Sequence, residues 1–173
     1  MAIEKVNLYQ NTSILPDEVL VHRLGLIPIK IDPRNFNNKN PEDDYLETNC
    51  IKFKLHIVCH RKPEYKTADK KVLENLKPED YLENAIIYSK QLEWLPFGNQ
   101  KKNYPKLIRP VHEDIIICKL REGQEIEAEL ICEKGIGKTH AKWSPVATAF
   151  YKLMPDISFK RKIANEQVII FLF

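Results

Sequence analysis

The chain has 173 residues, of which 43% are apolar and 29% charged, and its 27 basic and 24 acidic residues give a formal charge of +3. This composition is typical of a folded protein rather than a disordered one, and the length suits one main core. Because the charges are mixed along the chain, no global positive field favours nucleic-acid binding. The longest wholly apolar run, Val168 to Phe173, is far shorter than the roughly 20 residues that a membrane span needs.

The cysteines do not form a zinc motif. They are Cys50, Cys59, Cys118 and Cys132, and no two have CxxC spacing. We see no signal-peptide pattern before them, so we expect reduced intracellular thiols rather than disulfides. In "HIVCH", His56 and His60 would lie about 13 Å apart on one strand face at roughly 3.3 Å per residue, and Cys59 would point the opposite way. Ligands held about 2.0 to 2.3 Å from one zinc ion cannot come from that arrangement, so no metal site is predicted.

The stretch "SILPDEVLVHRLGLIPI" predicts a short helix. Pro16 suits its first turn, the acidic Asp17 and Glu18 suit its positive end, and Gly25 suits a C-terminal cap. Its apolar side chains form two groups, Leu20, Val21 and Leu24 on one side and Leu15 and Val19 on another. We therefore expect a helix wedged between two surfaces, one of them a partner's.

Strands dominate the rest of the chain after a polar loop from Lys30 to Thr48. The clearest are "IKFKLHIVC" and "QEIEAELICE", which alternate between apolar and charged residues. The apolar faces are predicted to be Ile51, Phe53, Leu55, Ile57 and Cys59 on the first strand and Ile126, Ala128, Leu130 and Cys132 on the second. The opposite faces carry Lys52, Lys54 and His56, and Glu125, Glu127 and Glu129.

Weaker patterns complete the secondary-structure prediction. The stretches "NAIIYSKQLEWLP" and "HEDIIICKL" predict two further strands, and Ala68 to Leu76 predicts a short helix. "LREGQ" predicts a hairpin turn, because Gly123 readily takes a positive φ.

The segment "CEKGIGKTHAKWSP", residues 132 to 145, matches a phosphate-binding loop only in part. The GxxxxGK[ST] motif needs glycine where this chain has Cys132. Pro145 would also break the helix that must follow Lys138 in such a loop. The sequence therefore disfavours nucleotide binding here.

Basic groups near an aromatic residue are the other feature of this segment. They are Lys134, Lys138, His140 and Lys142, with Trp143 beside them. Such groups contact nucleic-acid backbones, but they are equally typical of a solvated corner or a protein interface. The residue types alone leave these interpretations open.

Nothing in the sequence supports catalysis. Titratable residues occur in ordinary numbers, for example His112 beside Glu113 and Asp114. Adjacency in sequence gives no triad geometry, and no stretch resembles a nucleophile elbow.

Two separated blocks of sequence carry a family pattern. "LREGQEIEAELICEKGIGKTHAKWSPVATA" joins a K-x-R-x-G-Q-E type strand turn to G-x-G-K-x-H-A-K-W-x-P, and "NTSILPDEVLVHRLGLIPI" follows the strand "MAIEKV". These blocks resemble the alpha-like subunits of archaeal and eukaryotic RNA polymerases. "LEWLPFGNQ" followed by "IRPVHEDIIICKL" is similar to the larger alpha-like subunit shared by polymerases I and III. The chain has no cysteine-rich zinc loop of the kind found in the polymerase II counterpart.

The resemblance covers about residues 1 to 157 and implies an α+β fold. It predicts a partial alpha-type dimerisation domain at 1–30, the strand-rich insert domain at 31–145, and a return strand with an atypical tail at 146–173. Family members extend beyond both of these ends, so we expect a fragment or an incomplete gene model. If the ends are natural, "VIIFLF" would be exposed or would pair as an edge strand with another copy.

The resemblance also implies a non-catalytic scaffold that needs no cofactor. The larger alpha-like subunit pairs with a smaller one, and this heterodimer is the nuclear platform for the second-largest and then the largest polymerase subunit. DNA would be reached only through the complex, and no membrane partner is expected. The implied interface residues are Leu15, Val19, Leu20 and Leu24 on the helix, and Lys138, His140, Lys142 and Trp143, its apolar anchor, at a corner that Gly135 and Gly137 permit. The alternative is a stand-alone protein-interaction or nucleic-acid-binding module with the same fold.

Overall fold

The computed structural model describes residues 1–67, 73, 76–105, 108–158 and 160. The strands in this part of the chain are β1 Ala2–Asn11, β2 Ile29–Lys30, β3 Cys50–Val58, β4 His60–Arg61, β5 Leu82–Glu83, β6 Ile86–Tyr88, β7 Glu93–Leu95, β8 Arg109–Pro110, β9 Ile116–Lys119 and β10 Glu125–Glu133. The α-helices are α1 Asp17–Gly25, α2 Pro78–Tyr81 and α3 Gln100–Asn103, and short 3₁₀ turns cover Pro33–Asn35, Pro63–Tyr65, Ser89–Gln91 and Ala141–Trp143. The predicted strand-rich α+β fold is confirmed. None of the described helices has the length and apolar character needed to cross a bilayer.

The main sheet is antiparallel, in the order β1-β10-β3-β7. Its centre is the pairing of the two strands with the clearest alternation, and Leu130 lies opposite Phe53 in their register. Both of these side chains are 0% exposed, as are Ile51, Leu55 and Ile126. The predicted inward faces of β3 and β10 are therefore confirmed, because a half-buried strand places alternate residues on one side.

The outward face of the same two strands is held by charge pairs. Lys52 lies 3.0 Å from Glu129, Lys54 lies 3.4 Å from Glu127, and His56 lies 2.9 Å from Glu125. Each pair is partly exposed to solvent, so each contributes about 0.2–1 kcal/mol, in the range of ordinary cross-strand pairs.

The turn "LREGQ" forms, but it does not close a hairpin. Gly123 has φ of 80°, as predicted. The strands on its two sides belong to different sheets, because β9 pairs with β6 while β10 pairs with β1 and β3. The turn instead bonds to the end of β3: Gly123 donates to the carbonyl of Cys59 and Cys59 donates to that of Gln124, both at 2.9 Å.

The strand predicted for "NAIIYSKQLEWLP" is broken in two. A 3₁₀ turn at Ser89–Gln91 separates β6 from β7. The hydroxyl of Ser89 is fully buried, where it donates to the carbonyl of His112 at 2.6 Å and accepts from the amide of Ile115 at 3.3 Å. These bonds turn the chain towards β9, so one continuous strand cannot form.

Helix α1 differs from its prediction at both ends. Pro16 is the N-cap rather than a first-turn residue, while Asp17 and Glu18 occupy the first turn as expected. Gly25 is the last helical residue, and the C-cap is Leu26 in a right-handed conformation. The helix therefore ends without a residue in the left-handed conformation, which is the usual reason for finding glycine at a C-terminal cap.

Three predictions concern segments that are described only in part or not at all. The helix expected from Ala68 to Leu76 lies largely outside the described residues, and "VIIFLF" lies wholly outside them. The predicted return strand does not form between residues 146 and 158. No strand of the described structure pairs with this stretch, and a strand needs backbone partners to be stable.

Candidate subunit interface

The predicted interface residues of α1 divide between core and surface. Leu20 and Leu24 are 0% exposed within the chain itself, and Leu15 is half-buried against the same core. Val19 is 45% exposed. The prediction that Leu20 and Leu24 face a partner is thus corrected, because β1 and β9, which pack against α1, leave these two side chains no surface to offer.

The corner at residues 133–145 folds back onto the end of β10. The indole Nε1 of Trp143 donates to the carbonyl oxygen of Glu133 at 3.1 Å. His140 Nδ1 accepts from the amide of Lys142 at 3.0 Å, which caps the 3₁₀ turn Ala141–Trp143. The half-buried indole therefore serves both as packing and as a backbone anchor for the corner.

The two glycines of the corner do not serve a left-handed turn. Neither Gly135 nor Gly137 has a positive φ; among the glycines only Gly98 and Gly123 do. A Cβ on Gly135 would lie 2.3 Å from Trp143 Cε2, whereas a Cβ on Gly137 would meet Ser144 at an ordinary 3.4 Å. The expectation that glycine permits the turn conformation is corrected for Gly135: what is required there is space for the indole ring.

Lys142 ties the corner to the start of the chain. Its ammonium donates to the carbonyl oxygen of Ile3 at 3.0 Å and pairs with the carboxylate of Glu4. The side chain is only 13% exposed, and the ammonium lies 4.5 Å from the centre of the Trp143 ring. This cation is therefore already neutralised.

The other basic groups of the corner do not form a stripe. Lys134 donates to the carbonyl oxygen of Phe36 at 2.8 Å, while Lys138 and His140 are exposed. Lys134 and Lys142, two of the four basic side chains, are thus bonded to groups within the chain. The arrangement therefore does not favour a row of lysines that tracks a phosphate backbone, which is what nucleic-acid binding by this segment would require.

A small cavity, here called the corner groove, lies where the corner, α1 and β1 meet. It is lined by Ile3, Glu4, Val6, Val21, His22, Gly25, Leu26, His140 and Lys142. Its volume is about 120 Å³, well below the roughly 300–1,000 Å³ of small-molecule sites. The apolar floor and polar rim suit one side chain of a protein partner better than a cofactor.

The groove brings together residues from both blocks of the family pattern. Sequence reasoning had named His140 and Lys142 here, but it had not named Glu4, His22 or Leu26 as interface residues. Leu26 is 50% exposed, so an apolar side chain borders the groove. No local signal marked these residues, because the groove exists only when β1 and the corner lie side by side.

Within the described part of the chain, one group of side chains has the residue types of a metal site. His56, Glu125 and Glu127 offer ligand atoms within 4.8 Å of one another on the outward face of the main sheet. His56 pairs with Glu125, and Glu127 pairs with Lys54, as described above. Cross-strand charge pairing therefore accounts for the cluster.

The thiols are not arranged as nucleophiles. Burial raises the pKa of Cys50 to about 11, and it raises that of the fully buried Cys132 further above its ordinary value. A nucleophilic cysteine has a lowered pKa and is reachable by substrate, so these thiols have the character of core residues.

Comparison with known proteins gives one consistent result. A family model described as the RNA polymerase Rpb3/RpoA insert domain matches residues 6–154. The chain is 46% identical over 168 residues to the protein named DNA-directed RNA polymerases I and III subunit RPAC1 of Homo sapiens. The aligned region covers 96% of this chain and 47% of that protein.

More distant relatives give the same picture. The protein of the same name from Saccharomyces cerevisiae is 36% identical over 171 residues, with 96% of this chain and 49% of that protein covered. DNA-directed RNA polymerase subunit Rpo3 of Methanosphaera stadtmanae is 34% identical over 166 residues, with 96% and 52% covered. The chain spans about half the length of these curated relatives.

Proposed function

Because the chain belongs to the RNA polymerase Rpb3/RpoA insert-domain family, we propose that it is a non-catalytic assembly subunit of DNA-directed RNA polymerases I and III. It pairs with a smaller alpha-like subunit, and the heterodimer is the platform for the second-largest and then the largest subunit. The polymerases that it helps to assemble transcribe rRNA, tRNA and 5S RNA in the nucleus. The proposal rests on the similarity to relatives that are named as subunits of polymerases I and III.

The observation that carries an assembly role is the corner groove. Both blocks of the family pattern contribute to it, and its volume of about 120 Å³ fits a protein side chain. Its lining residues include Val21, His22, Leu26 and His140, which are exposed or half-buried. Val19 on the same helix and Lys138 and Trp143 in the same corner are also accessible. We assign the contact with another polymerase subunit to this surface, with Trp143 holding the corner in position.

The domain division follows from the same proposal. Residues 1–30 are assigned to part of the dimerisation domain, residues 31–145 to the insert domain, and residues 146–173 to a return segment with an atypical tail. The stretch from Val146 to Ile157 supports a partner for this last segment, because its large apolar side chains are strongly exposed. They are Val146 61%, Phe150 83%, Tyr151 90%, Leu153 85%, Met154 87% and Ile157 79%. So many exposed large apolar side chains in one short stretch are unusual on an isolated soluble protein.

The first test is affinity purification of the tagged native protein from its source cells, followed by mass spectrometry of the retained proteins. We expect the large subunits of polymerases I and III together with the smaller alpha-like subunit. Retention of neither polymerase would contradict the assembly role.

The second test assigns the surface. Leu26→Glu places a charge at the corner groove, and Val111→Glu is the matched control, since the two side chains are 50% and 47% exposed and Val111 does not line the groove. In co-expression with the smaller alpha-like subunit, the first variant should lose about tenfold or more in affinity. The control should bind like the unchanged chain. If both variants bind equally and circular dichroism shows that both are folded, the corner groove is not the interface. The assembly role itself would then still be tested by the affinity purification.

A further inference from the structure

A second and much larger cavity opens between two loop segments of the insert region. It has a volume of about 590 Å³ and is lined by Lys30, Ile31, Asp32, Asn35, Asn103, Tyr104, Pro105, Ile108 and Arg109. It shares no lining residue with the corner groove. The volume lies within the range of sites that enclose a ligand or a group of side chains.

The floor of this cavity is apolar and firmly supported. The ring of Tyr104 stacks on that of Phe36, with ring centres 5.4 Å apart and planes 12° from parallel. Phe36 is only 1% exposed, and its carbonyl oxygen accepts from Lys134. Ile31 and Ile108 line the cavity beside this pair, so an incoming apolar side chain would meet a preformed surface.

The rim combines two cations with one carboxylate that is already paired. Arg34 holds both carboxylate oxygens of Asp32, with Nη2 at 2.7 Å and Nε at 3.0 and 3.1 Å. This pairing lowers the pKa of Asp32 to about 2. The carboxylate therefore stays ionised, and the positive charge of Arg34 balances it. Lys30 has no ion-pair partner within the described ranges, and Arg109 uses Nη1 on Glu113 at 2.5 Å.

The residues that line the cavity carry a small excess of positive charge. Lys30 and Arg109 are cations, and Asp32, the one acidic residue of this lining, is paired with Arg34. The local field therefore favours an anionic partner.

We propose that this cavity binds an acidic peptide segment of a protein partner. One aromatic or branched apolar side chain of the peptide lies on Tyr104, and the neighbouring carboxylates face Lys30 and Arg109. Asn35 and Asn103 also line the cavity, and side-chain amides can bond a peptide backbone. A nucleic-acid backbone fits less well, because Arg109 is paired with Glu113 and the lining therefore lacks the row of unpaired cations that successive phosphates require.

The test uses the 173-residue chain and a fluorescein-labelled nonapeptide that has a central tryptophan flanked by aspartates and glutamates. Fluorescence anisotropy should give micromolar affinity that weakens as salt increases. Replacing the peptide tryptophan by alanine should weaken binding about tenfold, because the apolar floor loses its contact.

The protein variants separate this site from general charge attraction. Lys30→Glu with Arg109→Glu should weaken binding about tenfold or more. Lys66→Glu with Lys90→Glu changes the net charge equally at two exposed lysines outside the cavity and should weaken it less than about twofold. Circular dichroism should show both double variants folded. Equal losses in the two variants, no binding by the unchanged chain, or tighter binding of oligo(dT) than of the peptide would each overturn the proposal.

Discussion

The indole ring of Trp143 lies so close to the backbone of Gly135 that a Cβ built on the glycine would be 2.3 Å from Trp143 Cε2 and 2.4 Å from Cδ2. Real Cβ atoms essentially never approach other atoms closer than 3.0 Å. Glycine at position 135 therefore serves the packing of the corner. Because Gly135 has no side chain, the indole can reach the carbonyl of Glu133.

Gly135→Ala should displace Trp143. The added methyl group overlaps a rigid aromatic ring rather than a flexible side chain, so we expect the free energy of unfolding to fall by about 1–3 kcal/mol, as in other overpacked sites. Urea denaturation followed by tryptophan fluorescence measures the change, and the native emission should shift to longer wavelength.

Gly137→Ala is the matched control for that substitution. Its Cβ would lie 3.4 Å from Ser144 Cα, and its φ is not positive, so the free energy of unfolding should change by no more than about 0.5 kcal/mol. If both alanine variants were equally stable, close packing of the indole would not be the reason for glycine at position 135.

Lys142→Met should destabilise the corner. The change removes the donor to the carbonyl of Ile3 and leaves the carboxylate of Glu4 without its cation. We expect a loss of about 1–3 kcal/mol in the free energy of unfolding, because the bonds of a largely buried charge are lost.

Lys54→Met provides the comparison for that prediction. Its side chain is 42% exposed and pairs with Glu127 at 3.4 Å, so its loss should cost at most about 1 kcal/mol and should diminish in high salt. Equal effects of the two methionine variants in chemical denaturation would show that Lys142 is an ordinary surface cation.

Arg23 braces the backbone of β9. Its Nε donates to the carbonyl of Ile117 at 2.9 Å and its Nη2 donates to that of Ile116 at 2.7 Å. Arg23→Ala should cost about 1.5–3 kcal/mol and should speed amide hydrogen exchange in β6 and β9, since two charge-assisted bonds disappear. Arg34→Ala, which removes an exposed pair with Asp32, is the control, and unchanged exchange in both variants would contradict the bracing role.

Stability should fall at alkaline pH because of the buried thiols. The pKa of Cys50 is raised to about 11 and that of Cys132 is raised further, so both thiols stay neutral in the folded chain while those of the unfolded chain ionise near pH 9. The unfolded state thus loses protons first, and the stability contributed by the neutral thiols is lost as the pH rises above about 9.

Urea midpoints in reducing buffer from about pH 8 to about pH 10.5 test this dependence. The Cys50→Ala, Cys132→Ala double variant should show a shallower decline than the unchanged chain, although its absolute stability is lower. Tyrosines ionise in both proteins, so the difference between the slopes isolates the thiols. Parallel slopes would rule out the thiols as the cause.

Local sequence patterns predicted the central strands correctly. Phe53 and Leu130 lie face to face in the core because a two-residue period records which side of a strand is buried. Gly123 took its predicted positive φ for a similarly local reason. The pairing of the strands around that turn was predicted wrongly, because the bonds to Cys59 that direct it join residues distant in sequence.

Neighbouring residues were enough to predict several features, because each of them expresses a local preference of the chain. These features are the two family blocks, the alternation of β3 and β10, and the acidic first turn of α1. The roles of Leu24, Gly135 and Lys142 could not be predicted in this way. Leu24 became core only where β1 and β9 cover α1, Gly135 is required by a ring eight positions away, and Lys142 is neutralised by a carboxylate 138 residues earlier. Burial and charge compensation depend on what the fold brings into contact, and no single stretch of sequence contains that information.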